Sequence, residues 1–288
     1  MTASAHRYLS LGAGVQSSTL PLLAAKGRIP PFDAAIFADT SWEQAAVYQH
    51  LHRLTGIAEQ AGIEVVRVSA GDIRADAINP AHRFASIPLF TLGPNGERGM
   101  ARRQCTGEYK IKPIKAEVRR RLGYPHPARV PAGVRAEMAI GISLDEIGRA
   151  RDSDAGYMRN VFPLLDLGWR RDDCLRYLHR QGLGDTPKSS CVGCPFHDDG
   201  FWIRLREHSP KEWADAVAFD RAIRHGSARA SATGHPLRGQ FFLHRQRVPL
   251  DEVVLRPRPQ PADAPGCGPW TCPHDAPAQA GAGGGEVA

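Results

Sequence analysis

The chain has 288 residues, of which 42% are hydrophobic, and a formal net charge of +7 at pH 7. This length allows one large domain or two small ones with a buried core. The sequence shows neither an apolar run long enough to cross a membrane nor a secretory signal, so we expect a cytoplasmic protein without a membrane partner. The excess of arginine suits either a solvated surface or attraction of a polyanion, and charge alone does not distinguish them.

The chain opens with a short apolar run at residues 8–11, followed by a glycine-rich turn and a helix predicted over 17–26. A strand that enters such a turn and then a helix builds an anion site, because the helix N-terminus offers unpaired N–H groups and the positive end of its dipole. The hydroxyls of Ser17, Ser18 and Thr19 are possible further donors. We expect a phosphate-binding loop here, with a plain strand-to-helix turn as the alternative. No Gly-Lys-Ser/Thr follows, so the loop is not of the Walker type.

Alternation of strands and helices continues through the first third of the chain. Further strands are predicted at 34–38 and 64–68, with an amphipathic helix from about residue 43 between them. This order predicts an α/β, Rossmann-like parallel sheet with helices on both faces, whose ligands bind at the carboxyl ends of the strands. Residues 70–105 are predicted to be irregular because proline and glycine interrupt them, and the next helices are predicted to begin near Pro113 and Asp172.

The composition divides the chain into three predicted parts. Residues 1–150 are predicted to form a nucleotide-binding domain, and residues 151–256 a smaller, mostly helical region that bears cysteines. Residues 257–288 are rich in Pro, Gly and Ala, and they are predicted to be a disordered tail because they offer little apolar surface to bury.

Six cysteines occur, at positions 105, 174, 191, 194, 267 and 272. Disulfides are not expected in the cytoplasm, so metal or redox chemistry is the better use for clustered cysteines. Cys191 and Cys194 form a CxxC motif followed by proline, a spacing that lets two thiolates reach one metal. Zinc would need further ligands, for which Cys267, Cys272, His197 and His274 are available, and a redox pair is another alternative. Cys174 is predicted to be a buried thiol.

Four separated segments together resemble the PP-loop ATP pyrophosphatases, in particular their phosphoadenosine phosphosulfate reductase-like branch. Residues 12–17 resemble the pyrophosphate loop Ser-Gly-Gly-x-Asp-Ser, with Gln16 in place of Asp. Residues 37–43 resemble the strand-end motif Asp-Thr-Gly-x-Glu, with Ser41 in place of Gly. Residues 139–151 resemble Gly-x-Arg-x-x-Glu-Ser-x-x-Arg and lack its first arginine. The fourth segment pairs a cysteine in an Arg-x-Cys-Thr setting with the later CxxCP, so the resemblance spans roughly residues 8–205.

The resemblance implies a PP-loop fold that binds ATP and Mg²⁺, transfers AMP to a substrate oxygen and releases pyrophosphate. It implies that Cys105, Cys191 and Cys194 hold a [4Fe–4S] cluster, whose remaining iron has no protein ligand and can bind hydrosulfide. The implied nucleotide-binding residues are Gly12, Ala13, Gly14, Val15, Gln16, Ser17, Ser18, Asp39 and Thr40. The implied catalytic residues are Asp39, Glu146 and Arg149, although Asp39 could also cap the following helix.

The function that we expect is therefore an ATP-dependent sulfurtransferase that adenylates an acceptor oxygen and replaces it with sulfur. Its expected partners are ATP, a sulfur donor and an anionic substrate such as tRNA or DNA. The basic residues expected to face that substrate are Arg102, Arg103, Lys110 and Lys112. One alternative is a phosphoadenosine phosphosulfate or adenylylsulfate reductase of the same fold. Another is a zinc-stabilised, non-catalytic nucleic-acid-binding module, which the replacement of Asp by Gln16 allows.

Overall fold

The computed structural model of the chain describes residues 6–82, 87–226 and 239–256. The predicted tail at 257–288, with Cys267 and Cys272, lies outside the described residues. None of the helices within the described ranges combines the length and the apolar character needed to cross a membrane.

A five-stranded parallel sheet organises the molecule. Its strands are β1 (His6–Leu11), β2 (Ala34–Asp39), β3 (Glu64–Ser69), β6 (Ala136–Ile140) and β7 (Met158–Val161). They lie in the order β3-β2-β1-β6-β7, and every neighbouring pair is parallel. The order reverses between β1 and β6, and the crevice at such a reversal is where open α/β sheets bind ligands.

Helices cover both faces of this sheet because the inner strands are apolar on both sides. Leu9 and Leu11 of β1 face one core, which contains side chains of α1 (Val15–Ala25), α2 (Ala45–Gln60) and α6 (Arg171–Arg180). Tyr8 faces the other core with residues of α4 (Lys112–Arg121). The predicted α/β, Rossmann-like parallel sheet with helices on both faces is confirmed. The predicted start of α1 at residue 17 is two residues late, because Gly14 already caps the helix.

Residues 70–105 contain regular elements, so the prediction that this stretch is irregular is wrong. It holds the helix α3 (Ile73–Ile78) and the strands β4 (Phe90–Leu92) and β5 (Arg98–Met100). A third strand, β8 (Gln240–Phe242), completes an antiparallel sheet in the order β5-β4-β8. Gly93, Pro94 and Gly96 lie in the turn between β4 and β5, and each strand is too short to show an alternating pattern. The partner strand β8 is far away in the sequence.

The helix predicted near Pro113 begins earlier, because a π-helix (Thr106–Ile111) runs directly into α4. The Lys112 N–H donates to the Gly107 carbonyl, five residues back, where an α-helix would use the carbonyl four back. Cys105 immediately precedes this wide turn. Such π-turns are frequent at functional sites.

A third core lies beside the sheet, around α7 (Asp199–His208) and α8 (Pro210–Ala222). Residues early in the chain join it: the ring of Trp42 packs 4.6 Å from that of Phe219, centroid to centroid. The short helix α5 (Pro163–Asp166) and two 3-10 segments, Leu144–Arg149 and Leu250–Glu252, complete the described elements. The division of the chain at residue 150 stays a prediction, and the neighbouring strands β6 and β7 lie on either side of it.

Gly141, directly after β6, lies in close contact with the backbone at the start of α1. A Cβ at this position would lie 2.8 Å from the Ser17 backbone nitrogen and 3.0 Å from the Gln16 carbonyl carbon. Gly141→Ala should therefore lower the free energy of unfolding by about 1–3 kcal/mol, measured by urea denaturation. In Gly56→Ala the added Cβ meets nothing within 4 Å, so this control should be more stable by about 0.5–1 kcal/mol. Equal losses in both variants would contradict the close approach.

Candidate functional site

The candidate site lies along the carboxyl edge of the parallel sheet. The glycine-rich loop follows β1, Asp39 ends β2, and Ser143 lies just beyond β6. The segment that precedes the CxxC motif reaches the same edge, since a Cβ at Gly14 would lie 3.3 Å from the Cβ of Ser189. Segments that are far apart in the sequence therefore meet around the loop.

The loop closes on the hydroxyl of Ser17. The N–H groups of Gly12 and Gly14 both donate to Ser17 Oγ, each at 3.2 Å. Between them Ala13 takes the left-handed conformation, with φ of +53°. Gly14 and Ser17 are partly exposed, whereas Gly12, Ala13, Val15, Gln16 and Ser18 are buried. A ligand at this loop would therefore meet Gly14, Ser17 and the N-terminal end of α1.

Two of the three hydroxyls predicted as donors are used inside the fold. Ser18 Oγ lies 2.8 Å from Nε2 of His50, and Thr19 Oγ1 donates to the Val15 carbonyl at 2.9 Å. Ser18 and Thr19 are both fully buried. Of the three hydroxyls, the one that faces the loop is that of Ser17.

Gln16 connects the loop to two distant segments. Its Oε1 accepts a hydrogen bond from Nη1 of Arg171 at 2.7 Å, and its Nε2 donates to Ser143 Oγ at 3.4 Å. Gln16 and Arg171 are each 7% exposed. The residue that replaces the Asp of the resembled loop thus joins α1, the end of β6 and the start of α6.

Asp39 is a buried carboxylate with several donors. It accepts hydrogen bonds from Arg67 Nε and the Tyr48 hydroxyl, each at 2.7 Å, and from the Ser41 N–H at 2.9 Å. Hydrogen bonding to Asp39 raises the pKa of Arg67, and burial together with Asp39 raises the pKa of Tyr48. The alternative that Asp39 caps α2 is wrong, because Gln44 is the capping residue. Asp39 instead fixes the turn in which Ser41 has a φ of +60°.

A buried ion pair lies between this strand end and the CxxC motif. Lys110 Nζ donates to Glu43 Oε1 at 3.1 Å, and both side chains are almost fully buried. The same oxygen accepts from Thr40 Oγ1 at 3.3 Å and from Cys191 Sγ at 3.6 Å. Burial first, and Glu43 second, raise the pKa of the Cys191 thiol well above its ordinary value.

Backbone pairing holds the CxxC turn against the end of β2. Glu43 and Cys191 form an antiparallel bridge, with the Val192 N–H donating to the Trp42 carbonyl at 2.8 Å. Gly193 lies directly on the Trp42 ring, since a Cβ there would be 1.9 Å from Cη2.

His197 supports the turn from the other side. Its Nε2 donates to the Cys191 carbonyl at 2.8 Å, and its ring stacks on Phe201 with centroids 3.3 Å apart. Burial lowers the pKa of His197 to about 3, so the ring is neutral. One of the two imidazole nitrogens that the zinc alternative could use is therefore engaged within the turn.

Cys105, Cys191 and Cys194 line one pocket. Thr40, Lys110 and Arg103 also line this pocket, together with apolar side chains. The four described cysteines are free of disulfides, and Cys174 is buried elsewhere, with its pKa raised to about 12 by burial. Within the described residues, no group of three or more His, Cys, Asp and Glu side chains is arranged to hold a single metal ion.

Glu146 and Arg149 lie on the opposite side of the loop, beyond β6. Arg149 Nη1 donates to Glu146 Oε1 at 2.9 Å, and both side chains are largely buried. The pKa of Glu146 is raised by burial, and the Arg149 guanidinium offsets only part of this rise. The structure brings these two residues together, and it places Asp39 and Thr40 at the β2 side of the loop.

Sequence reasoning missed Arg67 and Arg171 as members of this site. Arg67 lies within β3, and its pairing with Asp39 depends on the neighbouring strand register, Phe37 to Arg67. Arg171 and Gln16 are 155 positions apart in the chain. No local motif marks either arginine, whereas Glu43 is the final acid of the strand-end motif.

Comparison with protein-family models gives no match, and comparison with curated proteins gives none either. Among solved structures, the chain is similar to the U34-tRNA thiolase NcsA from Methanococcus maripaludis with its [4Fe-4S] cluster. That similarity has a TM-score of 0.39 at 14% sequence identity and covers 77% of this chain and 72% of that chain.

The buried His50 beneath the loop should make stability depend on pH. Burial lowers its pKa to about 4, so the unfolded chain takes up a proton below about pH 6.5 that the folded protein resists. The contribution of His50 is fully present at neutral pH and should fall by about 2 kcal/mol on acidification to about pH 4.5. Urea denaturation across this range should show a shallower loss for His50→Gln than for the wild type. Identical slopes would contradict this prediction.

Proposed function

We propose that this protein is an ATP-dependent sulfurtransferase of the PP-loop type. It would adenylate an acceptor oxygen, release pyrophosphate and replace that oxygen with sulfur. The observation that carries the proposal is the arrangement along one sheet edge: the glycine-rich loop, the Asp39-Thr40 strand end and the pocket lined by three cysteines are neighbours. The phosphoadenosine phosphosulfate reductase-like branch remains part of this proposal and rests on the resemblance of the motifs.

The nucleotide half of the proposal rests on the loop and on α1. The first turn of α1, directly after the loop, offers backbone N–H groups at the positive end of a helix, which suits a phosphate. A polyphosphate bound in this way brings Mg²⁺ with it, since that ion binds chiefly through phosphate oxygens and water. Ser17 closes the loop, and Asp39 fixes the adjacent strand end. Arg149, held by Glu146, is proposed to bind nucleotide or substrate.

The sulfur half rests on the chemistry of the pocket. Three thiols from two chain segments line it, and thiolates are the ligands that select iron–sulfur clusters. The cationic side chain of Arg103 in the lining offsets part of the negative charge that three thiolates would bring, whereas Lys110 is already paired with Glu43. The residues therefore fit a [4Fe–4S] cluster held by Cys105, Cys191 and Cys194. When bound, such a cluster supplies a sulfur-binding iron, because three cysteines leave one iron of four without a protein ligand.

The acceptor is proposed to be anionic, with tRNA or DNA as candidates and a separate sulfur donor. The net charge of +7 supports this choice. Around the pocket, Lys112 is exposed, and Arg103 and Lys110 line the cavity itself. An acceptor oxygen that reaches the loop would be adenylated there, and sulfur from the pocket would then attack the atom that carries this oxygen and displace the oxygen as part of AMP.

The first test is the identity of the nucleotide products. Incubation with ATP, sulfide and bulk tRNA should yield AMP and pyrophosphate, separated by ion-exchange chromatography, and ADP as the main product would contradict the proposal. Ser17→Ala removes the hydroxyl that closes the loop and should weaken ATP binding by about 1–2 kcal/mol, or roughly tenfold in Kd. Ser153→Ala, in the loop before β7 at the opposite edge of the sheet, should leave ATP binding unchanged.

The second test is the metal content of anaerobically purified protein. It should be brown and carry about four irons per chain, by iron and sulfide analysis. Cys105→Ala, Cys191→Ala and Cys194→Ala should each lose the colour, because each removes one of three thiolates. Cys174→Ala is the matched control and should keep the colour, since that thiol is buried away from the pocket. Stoichiometric zinc without iron, or a coloured Cys105→Ala protein, would reject the three-cysteine site.

A further inference from the structure

Arg171 is a buried cation without a carboxylate partner. Its side chain is hydrogen-bonded to the neutral Gln16, and its Nε is buried without a hydrogen-bond partner. None of the described carboxylates forms an ion pair with its guanidinium: Asp145 accepts from its backbone N–H, at 2.8 Å, and Glu146, which the Arg171 charge reaches through space, is itself paired with Arg149. Burying an unpaired charge is costly, so a guanidinium in this position calls for an anion from elsewhere.

The place of Arg171 in the fold indicates where that anion would bind. Gln16, its hydrogen-bond partner, is the second residue of α1, directly after the glycine-rich loop. Ser143, the other partner of Gln16, follows β6, so the contact lies where the strand order reverses between β1 and β6. Anionic ligands of such sheets bind at that reversal, against a helix N-terminus.

We propose that Arg171 supplies the positive charge that attracts the pyrophosphate portion of ATP to this loop, and that Gln16 keeps this charge uncompensated. The inference rests on the proposed function and adds two residues to its phosphate site. The loop contains no lysine, so the buried guanidinium provides a fixed positive charge in a region of low dielectric, where it is felt strongly. Arg171 acts through its electric field from behind the loop and so is a positioning residue for the polyphosphate.

The chemistry of Gln16 explains why an amide suits this position. Its carbonyl oxygen accepts from the guanidinium and orients it, as a carboxylate would, without cancelling the charge. A carboxylate at position 16 would instead form a buried ion pair with Arg171 and leave the loop less positive. Glutamine and glutamate have the same length, so Gln16→Glu changes the charge of the site with little change in its shape.

The experiment is calorimetric binding of inorganic pyrophosphate and of ATP to the full chain. Gln16→Glu should raise both Kd values at least about tenfold, as should Arg171→Gln, since each lowers the net charge of the site by one. Arg170→Gln removes a charge from the neighbouring exposed residue and should stay within about twofold of wild type. Binding to wild type should also weaken more steeply with added salt than binding to Gln16→Glu.

The outcomes separate this inference from the function on which it rests. Gln16→Glu should unfold at a Tm no lower than wild type, because its carboxylate gains the Arg171 partner, so weaker binding could not be ascribed to lost folding. If Arg171→Gln fails to fold, Gln16→Glu carries the test by itself. Unchanged binding by Gln16→Glu, while wild type binds well, would overturn the role of Arg171 and leave the proposed function standing. A wild-type protein that binds neither pyrophosphate nor ATP would overturn both.

Discussion

The backbone bridge between the end of β2 and the CxxC turn is the contact on which the rest of the site depends. Through it, Val192 donates to the Trp42 carbonyl and Gly193 lies flat on the Trp42 ring. The same ring donates a hydrogen bond from Nε1 to Asp215 at 2.7 Å, which connects the strand end to α8 and to the third core. The bridge fixes Cys191 and Cys194 against the end of β2, next to the nucleotide loop, although the two regions are far apart in the sequence.

The buried pair of Glu43 and Lys110 follows from that bridge. Glu43 is placed by the bridge itself, and Lys110 is placed by the π-helix that follows Cys105. Their ion pair therefore links the two segments that carry the pocket cysteines. Removing either partner would leave a buried charge uncompensated, so the pair constrains the relative position of the segments more than it adds net stability.

Features that rest on consecutive residues could be predicted from the sequence, whereas contacts between distant segments could not. The first three strands of the parallel sheet, the glycine-rich turn and the CxxC spacing could be predicted, because each rests on a few consecutive residues, whereas β6 and β7 were not predicted. The β4–β5 hairpin could not, since its strands have three residues each and their third partner, β8, comes from near residue 241. The pairings of Arg67 with Asp39 and of Arg171 with Gln16 were also hidden, because strand register and helix packing create them.

The electrostatics of the sheet edge follow from how its acids are arranged. Three carboxylates near the loop are each paired with a basic side chain: Asp39 with Arg67, Glu43 with Lys110 and Glu146 with Arg149. Unpaired, these carboxylates would repel a polyphosphate at close range in a region of low dielectric. Since each is neutralised by its partner, the helix N-terminus and the buried guanidinium of Arg171 can dominate the local field. The edge is thus able to attract a highly charged anion although carboxylates lie on both sides of the loop.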